Sequence, residues 1–261
     1  MNFALFINGN LGLRVLEYLS GMESVTIKYI FLNSDIKRSK DYINEVQRLI
    51  SIKNIETQVV IWDQIQSSLD APSPAPWSVN FAVSALFGHI IPPEVITKVP
   101  GGILNLHPSL LPIGRGANPI SWSIIEGKPQ GITLHVVDQN VDTGRILFQK
   151  EIETSIDMSA GTIYEIAMQE LFRGFTDCFD LWVSGTLKGS DQGDESATRH
   201  QTQEFDALRI IEENQNSTFG GFIRKLQAAT FSDGRMPIFK DAEGNLWDIT
   251  LKLSRNRGSI E

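Results

Sequence analysis

Asn105 and His107 lie two residues apart in Gly101-Gly102-Ile103-Leu104-Asn105-Leu106-His107-Pro108, a short apolar run opened by two glycines and closed by a proline. Such a run reads as a β-strand, whose side chains alternate between faces. Asn105 and His107 then share one face, with Cα atoms roughly 6.6 Å apart at ~3.3 Å per residue, while Leu104 and Leu106 point into the core. An amide and an imidazole on one face can both donate N–H groups to an oxygen that becomes negative during reaction. The carboxylate to accompany them is Asp142, in Asp142-Thr143-Gly144. Beside an imidazole it favours the protonated ring, fixes its orientation and can assist a proton transfer. The ordinary alternatives are a capping asparagine, a satisfied core histidine and a turn aspartate. For the asparagine–histidine pair at the end of one strand, function has the edge.

Other polar groups are less telling. His135, in Ile132-Thr133-Leu134-His135-Val136-Val137, shares its strand with Thr133 and Val137 and reads as structural. Asp138 reads equally well as a turn residue. His89 precedes Ile90-Ile91-Pro92-Pro93 in a loop, and His200 sits in a polar stretch and reads as solvated. A metal-dependent hydrolase built on His107, His135 and Asp142 is a competing reading, but no H-x-x-x-H spacing supports it. Gly9-Asn10-Leu11-Gly12 offers two glycines where a dinucleotide fingerprint needs three, so a plain βα turn is favoured there.

The elements that must position these groups follow from hydrophobic period. Phe3 to Ile7 reads as a strand buried on both faces, Leu13, Leu16 and Leu19 as a helix, and Val25 to Phe31 as a second strand. Ile43, Val46 and Ile50 mark a second helix, Val59 to Trp62 a third strand and Val79 to Ala85 a fourth. Strands alternating with helices predict βαβ units and a mostly parallel, Rossmann-like α/β sheet, which binds ligands at its carboxyl edge. Ile163, Ala167, Leu171, Gly174, Cys178 and Leu181 predict a long amphipathic helix with Cys178 on its buried face. Pro72 to Pro76 reads as a stiff surface connection. From Lys188 to Glu204 the only apolar residue is Ala197, which predicts an exposed linker. Division is therefore expected into a catalytic α/β domain at 1–187, a polar linker at 188–204 and a small subdomain at 205–261. In that subdomain Leu208 and Ile211 suggest a short helix and Phe222 to Thr230 another. Pro237 to Lys240 and Leu246 to Leu251 suggest a hairpin.

Composition narrows the partners. The chain has 261 residues, 41% of them hydrophobic, and a net charge of −8. That supplies a sizeable core and disfavours nucleic acid as a main partner, because phosphate binding wants a basic field. The longest apolar stretch, Phe81 to Ile96, is broken by Ser84, Gly88, His89, Pro92 and Pro93, short of a membrane span. No basic region precedes Phe3 to Ile7, and that run is too short for a signal peptide, so a soluble cytoplasmic protein is expected. A single cysteine excludes an intramolecular disulfide and a cysteine-built metal site.

Taken in order, Asn105-x-His107-x-Ser109-Leu110-Leu111-Pro112, Arg115-Gly116, Pro119-x-x-Trp122, Gly131-x-Thr133-x-His135 and Asp142-x-Gly144 resemble the folate-dependent formyltransferases. The resemblance is close from Phe81 to Glu151 and loose before it. It implies transfer of a formyl group from N10-formyltetrahydrofolate, a co-substrate, to a primary amine, without a metal. The family's catalytic asparagine, histidine and aspartate match Asn105, His107 and Asp142. Its pterin site maps to Leu86, Phe87, Gly88, His89, Ile90, Val137 and Asp138, and its acceptor contacts to Gly9, Ser109, Arg115, Gly116 and Arg224. A cis peptide maps to Leu111–Pro112. Residues 199 to 261 carry nine basic and nine acidic side chains, a neutral balance that disfavours transfer RNA. Phe219 to Phe231 is similar to a stretch of the short nucleotide-sugar N-formyltransferases, which read arginine-leucine-arginine-alanine near here, whereas this chain has Lys225 and Gln227 around Leu226. The acceptor expected is thus the amine of a nucleotide-linked amino sugar, in O-antigen or lipopolysaccharide synthesis. A homodimer through the C-terminal subdomain goes with it. The alternatives are a methionyl-tRNA formyltransferase and a non-catalytic folate or nucleotide-sugar binding protein.

Overall fold

The first strand, β1 (Asn2–Ile7), is fully buried from Phe3 to Ile7, as a strand covered on both faces must be. The Asn8 side chain then accepts from the Gly9 amide at 2.9 Å and starts helix α1 (Gly9–Ser20). In chain order follow β2 (Thr26–Leu32), α2 (Ile36–Lys53), β3 (Gln58–Ile61), β4 (Phe81–Ala85), α3 (Pro93–Ile96) and β5 (Ile103–His107). Next come β6 (Arg115–Gly116), α4 (Pro119–Glu126), β7 (Gln130–Val136), β8 (Ile146–Ile152) and α5 (Ala160–Val183). The chain closes with β9 (Arg199–His200), α6 (Thr202–Leu208), β10 (Ile210–Glu212), α7 (Phe219–Ala229), β11 (Ile238–Lys240) and β12 (Leu246–Asp248). This computed structural model describes residues 1–33, 36–62 and 79–254. The proline-rich connection at 72–76 lies outside them.

Seven strands form one sheet in the order β3-β2-β1-β4-β5-β7-β8, and β1 pairs parallel with β2 and β4, β2 with β3, and β4 with β5. From β1 the chain winds outward through β2 and β3, then crosses to the other side through β4 and β5. The carboxyl ends of β1 and β4 therefore frame a topological switch point, where open α/β sheets take ligands. The register places Ile7 opposite Ala85 and Ala85 opposite Leu106, so His107 stands at that same edge. Phe3 and Phe6, three residues apart, face opposite sides of the sheet. Phe6 stacks on Phe31 at 4.6 Å between ring centroids and meets Trp62 and Phe87 edge-on. Phe3 meets Phe81, Phe179 and Trp182, so the C-terminal half of α5 covers the other face. Cys178 is buried as the spacing predicts, while Leu181 is exposed.

Two compact units divide the chain. One comprises Met1–His107, Leu134–Phe148 and Leu171–Gln192; the other comprises Pro108–Thr133, Gln149–Glu170 and Gly193–Glu261. In the second, Ser121 donates from its hydroxyl to the Ala228 carbonyl at 2.8 Å, joining α4 to α7. Also there, β10 pairs parallel with β11 and β11 antiparallel with β12, the expected hairpin. Ile211 is a correction: it is buried in β10 and not in a helix with Leu208. A three-residue strand is too short to show its period against a helical one.

Candidate active site

Strand β5 does what its alternation requires. Asn105 and His107 leave one face, between Leu104 and Leu106, which are buried in the core. Asp142 reaches them from the loop between β7 and β8. Its carboxylate oxygens lie 3.7 Å from His107 Nδ1 and 3.4 Å from Asn105 Nδ2. The three residues singled out by spacing thus meet at the carboxyl edge of the sheet.

A fourth residue completes the cluster. His135 is 1% exposed, and its Nδ1 lies 3.1 Å from the Val136 carbonyl oxygen. A carbonyl can only accept, so Nδ1 carries a proton and Nε2 is the ring nitrogen turned toward Asn105. Asn105 Nδ2 stands 3.0 Å from that nitrogen and donates to it. His135 Nε2 and Asp142 Oδ1, two acceptors, approach to 3.5 Å, and the Asn105 amide bridges them with its two N–H groups. His135 therefore orients the amide. Reading the sequence gave it only a structural part, although it shares a face with Thr133 by strand period. His107 and His135 stand edge to face at 6.1 Å.

The Asp142 loop is held tightly. Asp142 has φ 55°, a left-handed conformation that a side chain other than glycine adopts at a cost. Asp138 accepts from the Thr143 hydroxyl at 2.7 and 2.9 Å and from the Asn140 amide at 3.0 Å, so it shapes this turn. Gly144 fits because a β-carbon there would overlap the Val136 carbonyl oxygen. Gln192, from the polar stretch, donates from Nε2 to the carbonyls of Asp142 and Gly144.

At the neighbouring edge, Gly9 (φ 60°) follows β1 and Leu86 (φ 57°) follows β4, and the Asn8 amide donates to the Ala85 carbonyl at 3.0 Å. Phe87 turns inward against Phe6 and Trp62. The Gly88 amide donates to Asn33 Oδ1, His89 lies beside Phe87, and Ile90 is 72% exposed. Val137 donates its amide to the Ile103 carbonyl, which ties the start of the Asp142 loop to β5.

In the other unit, the loop after β5 is built by internal hydrogen bonds. Ser109 is buried and donates to the Ile113 carbonyl at 2.7 Å. Thr133 donates to the Ser109 carbonyl and accepts from the Leu111 amide and Gln149. The Leu111–Pro112 peptide is cis, as the resemblance implies. Arg115 is buried and pairs with Asp194 at 2.8 Å. Gly116 (φ 87°) lies under the His200 carbonyl where β6 pairs with β9. His200 is no solvated linker residue: it stacks on Trp122 at 3.9 Å and meets Glu126 Oε1 at 2.7 Å. Arg224 is exposed on α7. Among the described residues, no group of three His, Cys, Asp or Glu side chains is arranged to hold a metal ion, and no helix is long and apolar enough to cross a membrane.

A methionyl-tRNA formyltransferase of Acetivibrio thermocellus is 49% identical over 87 residues, 33% of this chain and 28% of that protein. A dTDP-4-amino-4,6-dideoxyglucose formyltransferase of Mycobacterium tuberculosis is 32% identical over 141 residues, 54% of this chain and 60% of that one. The chain thus matches well under two thirds of the length of either relative. The fold is that of a sugar N-formyltransferase from a Shewanella species, with TM-score 0.80 at 21% identity over 98% of this chain and 99% of that one. It is also that of an N-formyltransferase from Helicobacter canadensis in complex with folinic acid and dTDP-3-aminofucose, with TM-score 0.68 at 18% identity over 90% and 82% of the two chains. The sequence profile of the formyl transferase family matches residues 15–172, more than half the chain and all of the Asn105–His107–His135–Asp142 cluster, and the protein belongs to that family.

Proposed function

We propose that the protein transfers the formyl group of N10-formyltetrahydrofolate to the amine of a nucleotide-linked amino sugar. What carries the reading is the meeting of an amide donor, an imidazole donor and a carboxylate at the switch-point edge of the sheet. In the reaction a bond forms between the amine nitrogen and the formyl carbon, and the bond from that carbon to N10 breaks as N10 takes up a proton. Negative charge gathers on the formyl oxygen in between. Asn105 turns its second N–H, which makes only the long 3.4 Å contact with Asp142, to that oxygen. His107 donates to it from its ring. One well-placed donor of this kind is worth about 3–4 kcal/mol. Asp142 holds the His107 ring and takes a proton from the incoming amine, directly or through water. Two features of the edge support the choice of donor substrate: Leu86 adjoins Gly9, and Ile90 of the same segment turns its apolar side chain to solvent.

Similarity to the mycobacterial sugar enzyme, and a fold shared with one that holds a folinic acid and a dTDP-sugar, support the choice of acceptor. The higher identity over a shorter stretch to methionyl-tRNA formyltransferase supports a second reading, against which the nine-to-nine charge balance after residue 198 argues. A cytoplasmic supply of formylated sugars for O-antigen or lipopolysaccharide fits the first. The deciding experiment incubates purified protein with N10-formyltetrahydrofolate and a panel of dTDP-, UDP- and GDP-linked amino sugars, with methionyl-tRNA as a further arm. Turnover of a sugar nucleotide, insensitive to chelator, is expected. Turnover of the charged RNA alone selects the second reading. Activity lost to chelator and restored by zinc sinks both in favour of a metal hydrolase, and folate binding with no turnover leaves a binding protein.

A further inference from the structure

Gln192 lies in a stretch whose composition reads as linker, and the chemistry above makes no use of it. Its side-chain Nε2 donates to the main-chain oxygens of Asp142 at 2.9 Å and Gly144 at 2.7 Å, so both hydrogens of one amide grip the same turn. The residue they grip needs holding. Asp142 has φ 55°, in the left-handed region that a residue with a β-carbon adopts at a cost. The φ and ψ of Asp142 also set the direction of its Cα–Cβ bond, and hence where its carboxylate points. Within the loop Asp138 accepts from Thr143 and Asn140 and fixes the turn's shape, and Val137 ties the start of the loop to β5. Gln192 grips it from 50 residues away in sequence. Its own place is set by the paired main-chain bonds between Ser190 and Ile146, both 2.9 Å.

We propose that Gln192 is a positioning residue for formyl transfer, holding the strained turn at Asp142 so that one carboxylate serves both Asn105 and His107. The inference rests on the reading of the site given above. Gln192→Leu keeps most of the volume and removes both donors, leaving two carbonyls unpaired and the turn free to relax. Gln192→Glu keeps the length but sets acceptors against acceptors. A displacement of about 1 Å at a reacting group can cost about 100-fold in rate. The experiment measures kcat and KM for both substrates, the melting temperature, and the titration of the His107 ring by NMR, in wild type, Gln192→Leu, Gln192→Glu and Asp142→Asn.

Expected for both Gln192 variants is a kcat lower by about 10- to 100-fold, KM values nearly unchanged, and a His107 titration displaced in the direction seen with Asp142→Asn. Asp142 and His135 both face that ring, and His135 is left unsubstituted in every variant. A folded Gln192→Leu or Gln192→Glu with unchanged kcat and unchanged His107 titration overturns the proposal. So does a loss of kcat that only follows a lowered melting temperature. If the wild type formylates no acceptor, the functional reading fails, and the His107 titration still decides whether Gln192 sets the position of Asp142.

Discussion

One primary amide, that of Asn105, holds the site together by standing between two acceptors, His135 Nε2 and Asp142 Oδ1. Removing it takes away a donor to the developing charge and leaves the acceptors facing each other. Asn105→Ala and His107→Asn are each expected to lower kcat by about 100-fold or more, with much smaller changes in KM, because the charge they meet exists mainly in the transition state. Asp142→Asn keeps the shape and loses the charge, so its pH–rate profile should change as well as its height. Near-normal turnover in folded Asn105→Ala or His107→Asn protein would falsify these roles. His135→Asn is expected to lie between wild type and Asn105→Ala, since it removes the acceptor that orients the amide but no group on the substrate. Steady-state kinetics of the four variants ranks them. Of this cluster, Asn105 and His107 were legible from strand alternation alone, and Asp142 became legible through its motif. His135 was visible as a residue on the same face as Thr133, but its partner was not, because β5 and β7 become neighbours only in the folded sheet.

Elements with a long period were readable; of those with two or three residues, β11 and β12 were readable through the turn between them, and the rest were not. The alternation of β5 and the three- and four-residue steps of α5 each repeat often enough to fix a face. By contrast β6, β9 and β10 have no room for a period, and the polar stretch carrying Gln192 gains its order from backbone pairing and side-chain amides. Two predictions belong at this scale. Gly144 ends the Asp142 turn against the Val136 carbonyl at the end of β7, where a β-carbon has no space. Gly144→Ala must displace the turn, and a loss of about 1–3 kcal/mol of stability is expected together with a larger loss of turnover. Urea denaturation and kinetics on the same sample check both. The second concerns α5, whose inner face buries Cys178; burial, with Asp177 adding to it, raises the thiol above its ordinary value. A raised value means less thiolate at any given pH below it, and thiolate is the nucleophile. Labelling by a disulfide reagent at pH 8 should therefore be slow in native protein and stoichiometric after unfolding. Fast native labelling would show α5 to be loosely docked.

At the scale of the whole molecule the open question is assembly, and the C-terminal hairpin bears on it. Leu246 and Trp247 on β12 are 63% and 58% exposed, on opposite faces of a three-stranded sheet too small to cover both. Tryptophan in such a position is the residue type that most often anchors an interface. We propose a homodimer through this subdomain, so light scattering at tens of micromolar is expected to give twice the chain mass of 29.1 kDa. Trp247→Glu, which puts a charge in place of the exposed indole, is expected to give the monomer with the Asn105–His107–Asp142 cluster undisturbed. The dependence on acid follows from Asp241. Its carboxyl lies below the usual 3.8 because the Trp247 indole, first, and Asn245 donate hydrogen bonds to it. A depressed value means that the charged form is favoured in the folded hairpin, so this support is complete above the usual carboxylate range and fades only as pH falls through the lowered value. The hairpin should accordingly hold at pH 5 and loosen below the usual 3.8, read from the Trp247 indole signal by NMR. Asp241→Asn, which weakens the hold on the indole at all pH values, should raise the dissociation constant at neutral pH and flatten that acid limb. A monomer at neutral pH in protein whose hairpin is intact by NMR would remove the dimer and leave the exposed tryptophan without an account.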